Sequence, residues 1–180
     1  MNISSTTSLV IRYALLLGIG ILNLALGTEG LFYTIFTPLT IYPVYEVLHG
    51  LYEARLVSPT VLFFGGYYAE LIPACIAGSA YFLLLILNLT TPMSLKKRIP
   101  SLFFLALAFL VFNIARIVIF GVLLVKGYQY FDIAHIATWY FGSTALVVGI
   151  WFANALIFRI KSVPLYTDLR KLVVEVTKKN

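Results

Sequence analysis

Ser101–Val125 reads SLFFLALAFLVFNIARIVIFGVLLV, 25 residues in which Arg116 is the only charge. At about 1.5 Å per residue a helix of this length reaches about 37 Å, enough for a hydrocarbon layer roughly 30 Å thick. Lipid offers no partner to a free N–H or C=O, so a spanning backbone satisfies itself as a helix. Pro100 stands at the entry, where a missing N–H costs little.

The same texture recurs on both sides. Apolar segments run over about 8–26, 31–48, 72–89 and 136–158. Gly27-Thr28-Glu29-Gly30 marks a turn after the first, which carries Arg12 near its start. Pro38 and Pro43 predict a kink or irregular stretch in the second, and Pro73 opens the third. Ahead of the third, over 60–71, two β-prone runs flank Gly65-Gly66, the pattern of a β-hairpin. The expected fold is therefore an all-α integral membrane protein, one domain over 1–180, with about five transmembrane helices. A small extracytoplasmic β-hairpin precedes the third.

Composition agrees. Of 180 residues 61% are hydrophobic and only 11% charged, with mean hydropathy +0.97, which excludes an ordinary soluble domain. The net charge of +6 raises nucleic acid as a partner, but its placement argues against one: the basic residues fall in short loops and the tail, as orientation signals do. One cysteine allows no internal disulfide and no cysteine metal cluster. Met1 to Thr7 lacks a positive stretch, so no cleavable leader is expected.

Topology follows from charge. Lys96, Lys97 and Arg98 lie between spans three and four, and Arg159, Lys161, Arg170, Lys171, Lys178 and Lys179 follow span five. The positive-inside rule makes that side cytoplasmic, tail 159–180 included. Tyr42, Tyr45, Tyr52, Tyr67, Tyr68, Tyr128, Tyr130 and Tyr140 gather toward the other side as an interfacial belt. The expected location is the cell membrane, multi-pass, with the amino terminus outside. Residues 165–176 read as a basic amphipathic helix on the cytoplasmic surface. The sequon Asn88-Leu89-Thr90 falls at the inner end and is expected to stay unmodified.

Few polar groups remain for chemistry. Arg116 lies sixteen residues into span four, where an arginine costs at least roughly 2.5–3.5 kcal/mol unless paired or hydrated. Asn113, at i−3, shares its face. A snorkelling or structurally paired arginine is the ordinary alternative. Cys75 lies in the first turn of span three, where a helix N-terminus favours thiolate, although a lone cysteine is ordinarily a small buried hydrophobe. Ala74, Ala77, Gly78 and Ser79 around it admit close approach. Cys75 and Arg116 are symmetric about the inner turn: 20 residues separate Cys75 from Leu95, and 20 separate Lys96 from Arg116. An antiparallel pair of spans thus sets them at one height. His135 opens span five at the same face, with Asp132 three residues earlier, placed either to cap the helix or to orient the imidazole.

A thiolate attacks a carbonyl to form a thioester, a fixed cation holds the oxyanion, and an imidazole moves the proton. The candidate catalytic set is Cys75, Arg116 and His135, with Asn113 and Asp132 in support. Tyr67, Tyr68 and Glu70 are candidate substrate contacts, and His49 is a rival to His135. With no HExxH or Walker pattern, neither metal nor cofactor is expected.

Three elements resemble the exosortase/archaeosortase family of membrane transpeptidases: Pro73-Ala74-Cys75-Ile76-Ala77-Gly78-Ser79, Asn113-Ile114-Ala115-Arg116-Ile117, and His135 at the next span. The resemblance covers roughly 31–158. It departs from the family where Ile76-Ala77 delays the glycine after the cysteine, and the chain is close to a minimal core, which suits the archaeosortase branch. The resemblance implies Cys75 as nucleophile, Arg116 as oxyanion or thiolate partner and His135 as acid/base. It also implies cleavage of C-terminal sorting signals of exported proteins, each with a short motif, a hydrophobic helix and a basic end, and transfer of the new C-terminus to an acceptor, a membrane lipid amine among the candidates. Two other readings stay open: a non-enzymatic polytopic transport or assembly factor, and a thiol-dependent lipid acyltransferase.

Overall fold

Proline, glycine and one left-handed alanine set the places where this backbone changes direction. The computed structural model describes residues 5–25 and 30–160. Helix α1 (Ser5–Ala25) is followed by α2 (Leu31–Tyr52), then strands β1 (Arg55–Ser58), β2 (Val61–Phe64) and β3 (Tyr67–Glu70). After these come α3 (Pro73–Ile76), α4 (Gly78–Thr90), α5 (Leu95–Val125), α6 (Phe131–Ala137), a π-helical turn over Thr138–Gly142, and α7 (Ser143–Ile157). Among the described residues, four stretches are long and apolar enough to cross a membrane: Leu31–Tyr52, Pro73–Thr90, Leu95–Val125 and Phe131–Ile157. The first expected span forms α1; residues 26–29 and the amphipathic helix expected over 165–176 lie outside the described residues.

Several expectations need correction. The second span remains one helix with Pro38 and Pro43 inside it and runs on to Tyr52. It stops at Glu53, which takes φ 53° and donates its N–H to the His49 carbonyl. The expected hairpin gains a third strand: β1 pairs with β2 and completes a three-stranded antiparallel sheet, order β1-β2-β3, in an otherwise helical chain. Arg55–Ser58 has little strand signature of its own; the free side of β2 recruits it, with a bulge between Leu56 and Ser58. The third span is broken at Ala77, at φ 58°, between α3 and α4. The fifth begins earlier, at Phe131, and is interrupted by the π-helical turn.

The hairpin forms as expected, with Gly65 at φ 56° and Gly66 at φ 86°, the positive values that two-residue turns require. It leans on α5: a Cβ at Gly65 would sit 2.5 Å from Val125 Cγ2. Gly65→Ala therefore combines backbone strain with overpacking and is expected to destabilise the chain by about 1–3 kcal/mol. Thermal unfolding in detergent should show the lower midpoint.

Two apolar clusters hold the bundle. One joins Ile41, Val44 and Leu48 of α2 to Leu62 and Phe64 of the sheet, and to Leu71 and Ile76. The other joins Tyr81, Leu84, Leu105, Phe109, Val147 and Ile150 of α4, α5 and α7. At the α4–α5 turn the link is polar. Asn88 Nδ2 donates to Ser101 Oγ at 2.8 Å, and Ser101 Oγ donates to Asn154 Oδ1 at 2.9 Å, all three residues fully buried. Arg98 donates to the carbonyls of Asn88, Thr91 and Met93, closing off the end of α4. An Asn88 so enclosed is not available to a glycosyl donor in the folded chain. Lys97 Nζ reaches the Phe158 carbonyl at 3.3 Å, so the basic turn and the end of α7 share one end of the bundle. The sheet and Cys75 share the other.

Candidate active site

Cys75 is positioned by a sequence of local devices. Strand β3 hands the chain to Ile72, which is extended, and Pro73 starts α3 with its fixed φ. The Cys75 N–H is held by the Ile72 carbonyl at 2.8 Å. Ala77 then turns left-handed, a conformation that costs a non-glycine residue about 1–2 kcal/mol, and interrupts the helical ladder. The Cys75 carbonyl accepts instead from Asn113 Nδ2 at 2.9 Å, a bond between the broken helix and α5. Asn113 is fully buried, so this amide is a fixed strut. Gly78 admits α2 beside the break: a Cβ there would touch Phe32 Cβ at 3.4 Å and Tyr33 N at 3.5 Å.

Cys75, Arg116 and His135 all line one cavity of about 280 Å³. Its walls are largely apolar, with Val44, Leu48, Leu62, Phe64, Leu71 and Phe120 among them. Cys75 and Arg116, both half-buried, lie close enough for charge on one to act on the other. Arg116 Nη1 donates to Ser143 Oγ at 2.6 Å, and Ser143 Oγ lies 3.5 Å from the Thr138 carbonyl across the π-helical turn. The His135 ring stacks on Phe131 (5.6 Å between centroids, 10°) and meets the Phe120 edge (5.1 Å, 74°). A second hollow, of about 370 Å³, borders the broken helix at Pro73, Ala77, Gly78 and Ser79 and reaches Trp139 and Ser143. Ala74 and Trp139 belong to both.

Not every candidate arrives. Asp132 neither caps α6, whose N-cap is Tyr130 with no side-chain bond, nor hydrogen-bonds His135 among the described residues. The earlier helix start places Asp132 at the second helical position, exposed. Of the substrate candidates Tyr68 and Glu70 line the cavity and Tyr67 does not. His49 is engaged elsewhere, its Nδ1–H on the Ala54 carbonyl at 2.8 Å and its ring stacked on Tyr45. Ser143 is the addition that sequence reading lacked; only a hydroxyl one helical stretch beyond His135 signalled it. No group of three or more His, Cys, Asp or Glu side chains that could hold a metal ion occurs among the described residues.

No family model, curated protein or solved structure matches this chain. What the site can do has to follow from its own chemistry. A soft nucleophile, a fixed guanidinium and an imidazole around one apolar hollow are the groups that acyl transfer through a thioester requires.

Proposed function

We propose that this chain is a membrane-embedded cysteine transpeptidase or peptidase of the exosortase/archaeosortase kind, with its site on the extracytoplasmic face of the cell membrane. The observation that carries the reading is the meeting of Cys75, Arg116 and His135, from three separate helices, on one apolar cavity. Helix α1 serves as a fifth span and the basic end of the bundle faces the cytoplasm. The substrate's hydrophobic C-terminal helix docks among the spans, with its scissile peptide at the cavity.

The steps close on themselves. His135 takes the Cys75 proton, and the thiolate attacks the scissile carbonyl. Arg116 stabilises the oxyanion, held in aim by Ser143. The C–N bond breaks as His135 returns the proton to the leaving amine, leaving a thioester on Cys75. An acceptor amine, for which a lipid head group is one source, or water then attacks, gives its proton to His135 and restores the thiol. No cofactor enters these steps.

The test is the chemistry of the trapped intermediate. Purified chain quenched in acid should carry a hydroxylamine-sensitive peptide adduct at Cys75, read by mass spectrometry. An acyl-lipid mass there would favour the lipid acyltransferase instead, and an unmodified thiol under turnover would favour a non-enzymatic role. Ser143→Ala is expected to lower the rate about tenfold or more, since a hydrogen bond to a charged group is worth about 1.5–3 kcal/mol. Because Ser143 positions Arg116, kcat should fall more than KM rises, and Ser143→Thr should restore most of the rate.

A further inference from the structure

We infer that the open edge of β3 takes up the substrate polypeptide as a fourth, extended strand and leads it to Cys75; the inference rests on the transpeptidase reading above. The ladder sets the geometry. The Leu71 N–H bonds the Thr60 carbonyl at 2.8 Å, so in the antiparallel register the hydrogen-bonded pairs are 60/71, 62/69 and 64/67. Tyr68 and Glu70 occupy the alternate positions, and their N–H and C=O groups point away from β2. With order β1-β2-β3, β3 is an edge, and neither residue's backbone has a partner among the described residues.

The two edges of the sheet are not alike. β1 carries a bulge between Leu56 and Ser58, one of the devices by which edge strands are kept from pairing. β3 is regular over all four of its pairs. Tyr68 is 72% exposed, and Tyr68 and Glu70 lie on the wall of the cavity that holds Cys75 and His135. Two donors and two acceptors, at a two-residue spacing of about 6.6–6.8 Å, match an extended polypeptide. An acyl chain has no groups to answer them. Strand addition of this kind takes affinity from main chain and leaves selectivity to alternate side chains, which here enter a cavity too small for a helix.

Proline separates backbone from side chain. At position 70 it removes an outward N–H without breaking a β2 bond, a placement that edge strands tolerate. The probes are the polypeptides that accumulate uncleaved in cells carrying Cys75→Ala. Their cleavage by Glu70→Pro is expected to be at least about tenfold slower than by Glu70→Ala, from a lost hydrogen bond and a ring in the path of the incoming strand. Val57→Pro, on the bulged edge, should cleave at the wild-type rate. Equal rates for Glu70→Pro and Glu70→Ala overturn strand addition and leave the transpeptidase reading standing; if Cys75→Ala accumulates nothing, that reading falls and this one with it. Should Glu70→Pro fail to reach the membrane, a photoreactive benzoylphenylalanine in place of Tyr68, in the Cys75→Ala chain, decides. Adducts with the uncleaved polypeptides support the proposal. No adduct, or adducts with a second copy of this chain alone, overturns it.

Discussion

The Cys75→Ala chain should reach the membrane in wild-type amounts while its cleavage of C-terminal segments falls by on the order of 10⁴-fold or more, as removal of a covalent nucleophile does. The fold has little reason to object. Cys75 is half-buried, alanine differs from cysteine by one sulfur atom, and the two bonds that fix this residue use its backbone, to Ile72 and to Asn113. Cys75→Ser preserves the volume but replaces a thiol with a far weaker nucleophile, and should be nearly as inactive. The measurement is C-terminal mass spectrometry of membrane proteins from cells carrying either form. A set of proteins that keeps a hydrophobic C-terminal segment only with Cys75→Ala also discloses the cleavage motif. Identical C-termini, with the variant stably present, would end the peptide-processing reading in favour of lipid-acyl or non-enzymatic roles.

Arg116→Ala should cost on the order of 10²–10³ in kcat, the range found when one preorganised oxyanion donor is removed. The side chain sits in an apolar wall, where its charge acts at low dielectric, and Ser143 keeps it from having to reorganise during the reaction. Arg116→Lys distinguishes charge from shape. A lysine keeps a cation but not the planar fork that lets one arm hold Ser143 while another faces the cavity, so only a small part of the rate should return. Single-turnover formation of the Cys75 thioester isolates this step from acceptor attack. Wild-type thioester formation by Arg116→Ala would reduce the arginine to a structural anchor between α5 and α7.

The long-range features of the site were readable because they depend on counting. Equal distances from Leu95 and Lys96 put Cys75 and Arg116 at one level, and a helical hairpin leaves them nowhere else to go. Gly65-Gly66 likewise announced its turn. What escaped depends on neighbours that are distant in sequence. β1 is a strand because β2 has a free side. Ala77 is left-handed although alanine is a strong helix former, because the surrounding structure holds the break in place; no local residue signals it. Asn88, Ser101 and Asn154 each look like stray polar residues in apolar segments until three helices bring them together. Asp132 was misjudged through a shift in helix start, the least certain part of any helix read from sequence.

The π-helical turn between His135 and Ser143 has a consequence for how the site can change. Eight residues along a plain α-helix leave two side chains about 80° apart, whereas absorbing one residue in a bulge reduces the offset to about 20°. The segment from Phe131 to Ile157 therefore carries two azimuthal phases. The first turns His135 to the cavity that Cys75 and Arg116 line, and the second turns Val147, Ile150 and Asn154 to the bundle core. Losing the bulge, with α7 held in place, would rotate the imidazole by about 100° against Arg116 and leave the buried contacts of α7 untouched. The aim of the imidazole into the cavity and the packing of α7 are thus separately adjustable along a single helix.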